Sequence, residues 1–193
     1  MSGYDIVVIG ASWGGLRALE QIFAGLPEDF PTPIVVAQHR DDDSDDELLP
    51  RLLNRYTALR VADADDKAAL EAGKILLAPP GYHVLVADGC VELNVDEPVQ
   101  FSRPSIDVLF ETAADAYGRG TLGVLLTGSN ADGAAGLLEI ARRGGRTIVQ
   151  DPATAERAEM PRAALEVMTP DVVAGLDEIA GLLCEACGKE TAR

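Results

Sequence analysis

Three polar residues of this chain stand where an α/β fold exposes side chains. The first is Ser12, in Ile6-Val7-Val8-Ile9-Gly10-Ala11-Ser12-Trp13-Gly14-Gly15. There an apolar, β-branched run stops at a glycine-rich turn, and a helical pattern follows (Leu16, Leu19, Ile22, Phe23). A strand-to-helix junction offers free backbone N–H groups that attract negative charge. It suits a bound phosphate, or a nucleophile that builds an oxyanion; the duller role for Ser12 is helix capping. The spacing Gly10-x-x-x-Gly14-Gly15 is not G-x-G-x-x-G, and the Lys and Ser/Thr of a phosphate loop are missing. A dinucleotide fold also wants an acid at the end of its second strand. Here that strand ends Val36-Ala37-Gln38-His39. A histidine in that place shifts the balance towards a serine nucleophile, because a hydroxyl is weak until a base takes its proton.

His39 is one of two histidines. His83, in Pro79-Pro80-Gly81-Tyr82-His83, reads as a hydrogen-bonded turn residue entering a hairpin. His39 is the better base because its strand should neighbour the one before Ser12. The third residue is Asp132, in Leu125-Leu126-Thr127-Gly128-Ser129-Asn130-Ala131-Asp132-Gly133-Ala134-Ala135-Gly136. It either caps the helix that follows, a common use of Asp-Gly, or holds the imidazole in the right tautomer. Spacing alone leaves both open.

The elements that must carry these residues are visible as apolar runs without polar alternation, at 6–9, 34–37, 75–78, 122–126 and 147–149. Such runs suit strands buried on both faces of a parallel sheet. Helical patterns lie near 15–25, 46–55, 105–117, 132–143, 161–168 and 177–187. Gly144-Gly145 ends the fourth helix, and Pro161 suits the first turn of the fifth. Residues 82–94 read as a hairpin with Asp88-Gly89 in its turn. The expectation is a doubly wound, mostly parallel open α/β sheet with helices on both faces and a small antiparallel hairpin at one edge. Sites in such sheets lie beyond the carboxyl ends of the strands, where Ser12, His39 and Asp132 all fall.

The 193 residues make one domain with a real core, filled by aliphatic side chains since aromatics are only 5%. A net charge of −16 excludes nucleic acid and anionic membranes as partners, because both need basic patches. No apolar run approaches the roughly 18 residues that would span a membrane, and no basic region precedes the first one. The expected compartment is the cytoplasm. The run Asp41-Asp42-Asp43-Ser44-Asp45-Asp46-Glu47 lacks the spacing of a calcium loop and reads as a solvated acidic loop leading into a helix. Cys90, Cys184 and Cys187 are an odd count, which argues against a disulfide framework. Cys184-x-x-Cys187 is half a metal site with no second pair, so both cysteines read as small apolar fillers in a helix.

Taken in order, these motifs resemble the catalytic domain of the chemotaxis protein-glutamate methylesterases of CheB type. Gly10-Ala11-Ser12-x-Gly14-Gly15 resembles that family's Ser loop, and Gln38-His39 its His element. Arg103-Pro104-Ser105-Ile106-Asp107-Val108-Leu109-Phe110 resembles its Arg-Pro-Ser-x-Asp-x-Leu-Phe segment. Leu126-Thr127-Gly128-x-x-x-Asp132-Gly133-Ala134-Ala135-Gly136 resembles its Asp loop, and Met160-Pro161-Arg162 a further element. The likeness runs over about residues 4–183. It implies Ser12 as nucleophile, His39 as base, Asp132 as orienting acid, and no cofactor or metal. The implied substrates are methyl-esterified glutamates on chemoreceptor helices, with methanol released, and in many members receptor glutamines as well. From the strand-to-helix position, the amides of Trp13 and of the Gly128-Ser129 turn should hold the oxyanion.

Four features depart from the pattern. Trp13 replaces a small hydroxyl residue, and its indole either walls the site or packs over the sheet edge. Arg40 and the acidic run replace Met-Pro. Ser129-Asn130-Ala131 replaces Met-Gly-Asn. The usual N-terminal receiver domain is absent, so control would come from a separate receiver or another chemotaxis protein. Arg103 either guides a substrate carboxyl or ester group or serves the turn before a Ser105 helix cap. Two other readings remain: a non-catalytic receptor- or partner-binding module of the same fold, motivated by these departures, and nucleotide binding at Gly10–Gly15, which the glycine spacing disfavours.

Overall fold

The computed structural model describes residues 3–40 and 47–188. Residues 41–46 of the acidic run lie outside the described residues. In chain order the elements are β1 (Ile6–Ala11), α1 (Gly15–Ala24), β2 (Ile34–Gln38), α2 (Leu48–Leu53), β3 (Arg60–Asp63), β4 (Lys74–Leu77), β5 (His83–Ala87), β6 (Cys90–Asn94), α3 (Ile106–Tyr117), β7 (Thr121–Leu125), α4 (Ala134–Arg142), β8 (Arg146–Gln150), α5 (Glu159–Val167), β9 (Val172–Ala174) and α6 (Leu176–Cys187).

The continuous apolar runs become strands with both faces covered. Every residue of β1 and β2 is buried. Side chains alternate across a strand, so Val7 and Ile9 join one core with α1, α2 and α6, through Leu19, Phe23, Leu53 and Leu183. Ile6 and Val8 join the other, with α3, α4 and α5, through Leu109, Phe110, Leu137 and Met160. Seven strands form one parallel sheet in the order β3-β4-β2-β1-β7-β8-β9. The chain winds outwards from β1 through β2, then returns to β7, so the order reverses between β1 and β7. A reversal of this kind leaves a crevice at the carboxyl ends of the strands. Registers Ala11↔Gln38 and Gly10↔Leu125 bring the ends of β2, β1 and β7 side by side.

The expected hairpin forms over 83–94 as a two-stranded antiparallel sheet of its own. Val84, Val86 and Val91 seat it in the core that α3 occupies. Strands β3 and β9 were not among the expected runs: one is half-exposed and the other has three residues. Helix α2 is shorter than the 46–55 pattern, because Asn54 ends it with its side-chain amide bonded to the Pro50 and Val61 carbonyls. Gly144 and Gly145 close α4 with amides on the Ala141 and Ile140 carbonyls, a Schellman pair. On α6, Cys187 is buried in the first core and Cys184 packs against it. Among the described residues no helix is long and apolar enough to cross a membrane.

Candidate active site

The carboxyl ends of β1 and β7 are stitched together beyond the sheet. The Leu126 amide donates to the Gly10 carbonyl and the Ser12 amide to the Thr127 carbonyl, each at 2.9 Å. Ser12 does not cap α1: that position is Gly14, which makes no side-chain cap bond. The Ser12 Oγ instead lies 3.1 Å from His39 Nδ1. His39 follows β2, and its amide donates to the Ala11 carbonyl at 3.0 Å. Gln38 ties the two loops: its Nε2 donates to the carbonyls of Ser12 (2.9 Å) and His39 (3.0 Å). The other imidazole nitrogen, Nε2, is 2.7 Å from Asp132 Oδ2. A carboxylate only accepts, so Nε2 carries the proton and Nδ1 is left to accept from the serine hydroxyl. The ring therefore uses its nitrogens in the order opposite to that of the chymotrypsin triad, where Nε2 faces the serine.

Asp132 does not cap the helix that follows it. That helix, α4, is capped by Gly133, which has a φ of +96° and makes no side-chain cap bond. Asp132 reaches back to α3: Oδ1 accepts from Ser105 Oγ (2.9 Å) and the Asp107 amide (3.0 Å), and Oδ2 from the Ile106 amide (2.7 Å). The carboxylate thus sits at the positive end of α3 as well as against His39. Asp107, in the first turn of α3, returns the exchange. Its Oδ1 accepts from the Gly133 and Gly136 amides at 2.9 and 2.7 Å, and its Oδ2 from Gln100 Nε2 at 2.7 Å. Each acid serves the other's helix. The crossing needs close approach at Gly10, where a Cβ would lie 2.2 Å from Ile106 Cγ2.

Both carboxylates are buried, with different results. Burial alone would raise Asp132; its bonds from His39, Asp107 and Ile106 more than offset this and hold it below the ordinary 3.8. Asp107 is raised above that value, by burial first, against the lowering effect of the Gly136 amide, with the charge of Asp132 adding to the rise. An acid kept ionised beside an imidazole orients it and stabilises its protonated form.

Ser12 and His39 open into a cleft of about 820 Å³, whose lining includes Trp13, Phe101, Arg103 and Ser129. Trp13 walls the site rather than packing over the sheet edge: it is 60% exposed, with Nε1 donating to Glu156 Oε1 at 3.0 Å. The Arg157 guanidinium lies over its ring, 5.6 Å from the centroid. Of the expected oxyanion donors, the Gly128 amide is already committed to the Arg157 carbonyl at 3.1 Å. The amides of Trp13 and Ser129 donate to no protein acceptor among the described residues. Arg103 braces the loop before it, with Nη1 donating to the carbonyls of Val95 (3.0 Å) and Asp96 (3.2 Å). Arg40 also lines the cleft and pairs with Asp63 at 2.5 Å. His83 is buried away from Ser12, accepting from the Ser105 amide on Nδ1 and donating to the Glu97 carbonyl from Nε2. Among the described residues no cluster of three His, Cys, Asp or Glu could hold a metal ion.

Sequence reasoning named the serine, the histidine and the acid but missed what holds them. Gln38 and Asp107 enter the sequence reading only as parts of motifs, Ser105 only as a helix cap and Thr127 only within the Asp loop, while Glu156 and Arg157 do not enter it. The signal was available in Arg103-Pro104-Ser105-x-Asp107, whose polar pair sits where a helix begins.

A serine, a histidine and a buried aspartate joined by hydrogen bonds at the switch point of a parallel sheet define the geometry of a serine hydrolase of α/β architecture. The chain belongs to the CheB methylesterase family, whose model matches residues 7–183. It is similar to a Leptospira interrogans protein provisionally named protein-glutamate methylesterase/protein-glutamine glutaminase, 45% identical over 180 residues and 93% of each chain. A second relative, from Anaeromyxobacter dehalogenans and named protein-glutamate methylesterase/protein-glutamine glutaminase 2, is 45% identical over 94% of this chain. The protein-glutamate methylesterase FrzG of Myxococcus xanthus is 39% identical, also over 94%. The chain spans about half the length of these last two, 53% and 54%. The crystal structure of the Thermotoga maritima CheB methylesterase catalytic domain superposes with a TM-score of 0.89 at 33% identity, covering 96% of this chain and 99% of that one.

Proposed function

We propose that this chain is a protein-glutamate methylesterase that works through Ser12, His39 and Asp132. The observation that carries the reading is the Ser12 Oγ–His39 Nδ1 contact with Asp132 on the far nitrogen, in a chain of this family. His39 Nδ1 takes the hydroxyl proton as Ser12 Oγ attacks the γ-carbonyl of an esterified glutamate. The carbonyl oxygen becomes an oxyanion beside the amides of Trp13 and Ser129, and loss of one such donor typically costs about 3–4 kcal/mol in the transition state. Protonated His39 returns the proton to the leaving methoxide, methanol departs, and an acyl-serine remains. Water attacks it with His39 again as base, giving the glutamate carboxylate and free Ser12. A glutamine side chain would follow the same course with ammonia as the leaving group, in keeping with the glutaminase part of the relatives' names.

The substrates on this reading are methylated chemoreceptor helices in the cytoplasm. Labelling with a serine-directed fluorophosphonate tests the nucleophile. The expected result is one adduct per chain, mapped to Ser12 by peptide mass spectrometry and slowed at least a hundredfold by His39→Ala. Labelling elsewhere, or none, contradicts the assignment.

A further inference from the structure

Two aromatic side chains project at the mouth of the Ser12 cleft, and neither serves the core. Phe101 is fully exposed, on a turn where Gln100 and Phe101 both take left-handed backbone angles, φ +48° and +64°. Bulky residues rarely adopt such angles, and strain of this kind clusters at functional sites. The turn is nevertheless firmly built. Val99 and Ser102 exchange amide–carbonyl bonds at 3.1 and 2.9 Å, Gln100 is anchored on buried Asp107, and Arg103 grips the carbonyls of Val95 and Asp96. Trp13 reaches the same cleft from another element and is held by Glu156 and Arg157. Aromatic rings carried on an ordered backbone give large contact area with only two side-chain torsions to fix, which suits binding hot spots.

The strands that end in the cleft have both edges paired, β1 with β2 and β7, and β2 with β1 and β4. They offer no open edge for an extended peptide to join. Without a strand edge to pair with, the cleft suits a helix, whose backbone groups are already bonded. On a helix, residues three and four positions from the esterified glutamate share its face.

We propose that Trp13 and Phe101 form two aromatic jaws, Trp13 held at its ring and Phe101 at its backbone, that seat a helical substrate by apolar side chains flanking the ester, so that an amphipathic helix with apolar residues three or four positions before and after the glutamate is the preferred partner. The proposal rests on the methylesterase reading above. Steady-state methanol release tests it, using a helical receptor fragment methylated at one glutamate and a second fragment whose flanking apolar residues are serine. With the first fragment, Phe101→Ala is expected to raise KM roughly thirtyfold with kcat within about twofold, the size of a hot-spot aromatic. Trp13→Thr is read on KM alone, since its amide faces the oxyanion, and KM is expected to rise there too. The serine-flanked fragment raises KM for the unaltered enzyme, and Phe101→Ala then adds little, because one contact is lost either way. An unchanged KM in Phe101→Ala, or two effects that simply multiply, overturns the jaws while leaving the esterase intact. Absence of methanol from either fragment with the unaltered enzyme overturns the methylesterase reading, and the jaws with it.

Discussion

At the floor of the cleft both oxygens of Asp132 are committed, whereas at its rim Phe101 lies wholly in solvent on a turn that left-handed residues strain. The floor is where two helices exchange carboxylates: Asp132 serves α3 and Asp107 serves α4. There function and stability share the same bonds, so a substitution loses both. The rim makes its contacts outward, so a substitution there can cost recognition without costing the fold. The contrast follows from solvent: an unpaired polar group at the floor cannot find water, while a rim side chain already has it.

The sharpest break falls on Asp132. Either orientation of the amide in Asp132→Asn turns its NH₂ towards groups that donate. Activity is expected to fall by about 10³–10⁴-fold, as when a triad acid is neutralised. Unfolding free energy should drop by about 2–4 kcal/mol for two buried bonds. The pH dependence carries a sign. The folded-state carboxyl is held below its ordinary 3.8, so its stabilisation is present above that value and is lost as pH falls through the folded one. Urea melts of parent and variant should therefore differ clearly at neutral pH and converge in strong acid.

Asp107 should behave with the opposite sign. Its folded carboxyl is raised, by burial first, so its ionisation costs stability as pH rises through that value. In Asp107→Asn the deficit relative to the parent should narrow from acid to neutral pH, and the same melts measure it. A gap that widens with pH would mean that the bonds from Gly133 and Gly136 outweigh burial.

Gln38→Met, which keeps length but removes the donor to both loop carbonyls, should leave KM unchanged and lower kcat by roughly thirtyfold, since two net hydrogen bonds are together worth about 2 kcal/mol. At the rim, Phe101→Gly should raise stability by about 0.5–1 kcal/mol by relieving the left-handed angle. The same variant should weaken substrate binding. A loss of stability there would place Phe101 with the floor and erase the contrast.

Much of the floor was legible in the sequence and little of the rim. Buried runs such as Ile6–Ile9 show no polar alternation because both faces are covered, and that alone indicates a parallel sheet. Its carboxyl ends then nominate Ser12, His39 and Asp132. The destination of the Asp132 carboxylate was not legible, because Asp-Gly before a helix reads as a cap for that helix, and only the fold brings α3 nearer. Nor was the loss of the Gly128 amide to Arg157, which a non-local loop contact decides. Strands β3 and β9 escaped because edge strands are short and half-exposed. Phe101 gave no signal, since an exposed aromatic and a buried one look alike in a chain until the backbone angle is known.

The most direct test is methanol release from a methyl-esterified chemoreceptor signalling fragment, with Ser12→Ala measured alongside. Release by the parent that falls at least about 10⁴-fold in the variant, with the melting temperature retained, is the expected result. Equal release from both would contradict the serine mechanism, and none from either would contradict the methylesterase reading with chemoreceptors as substrate.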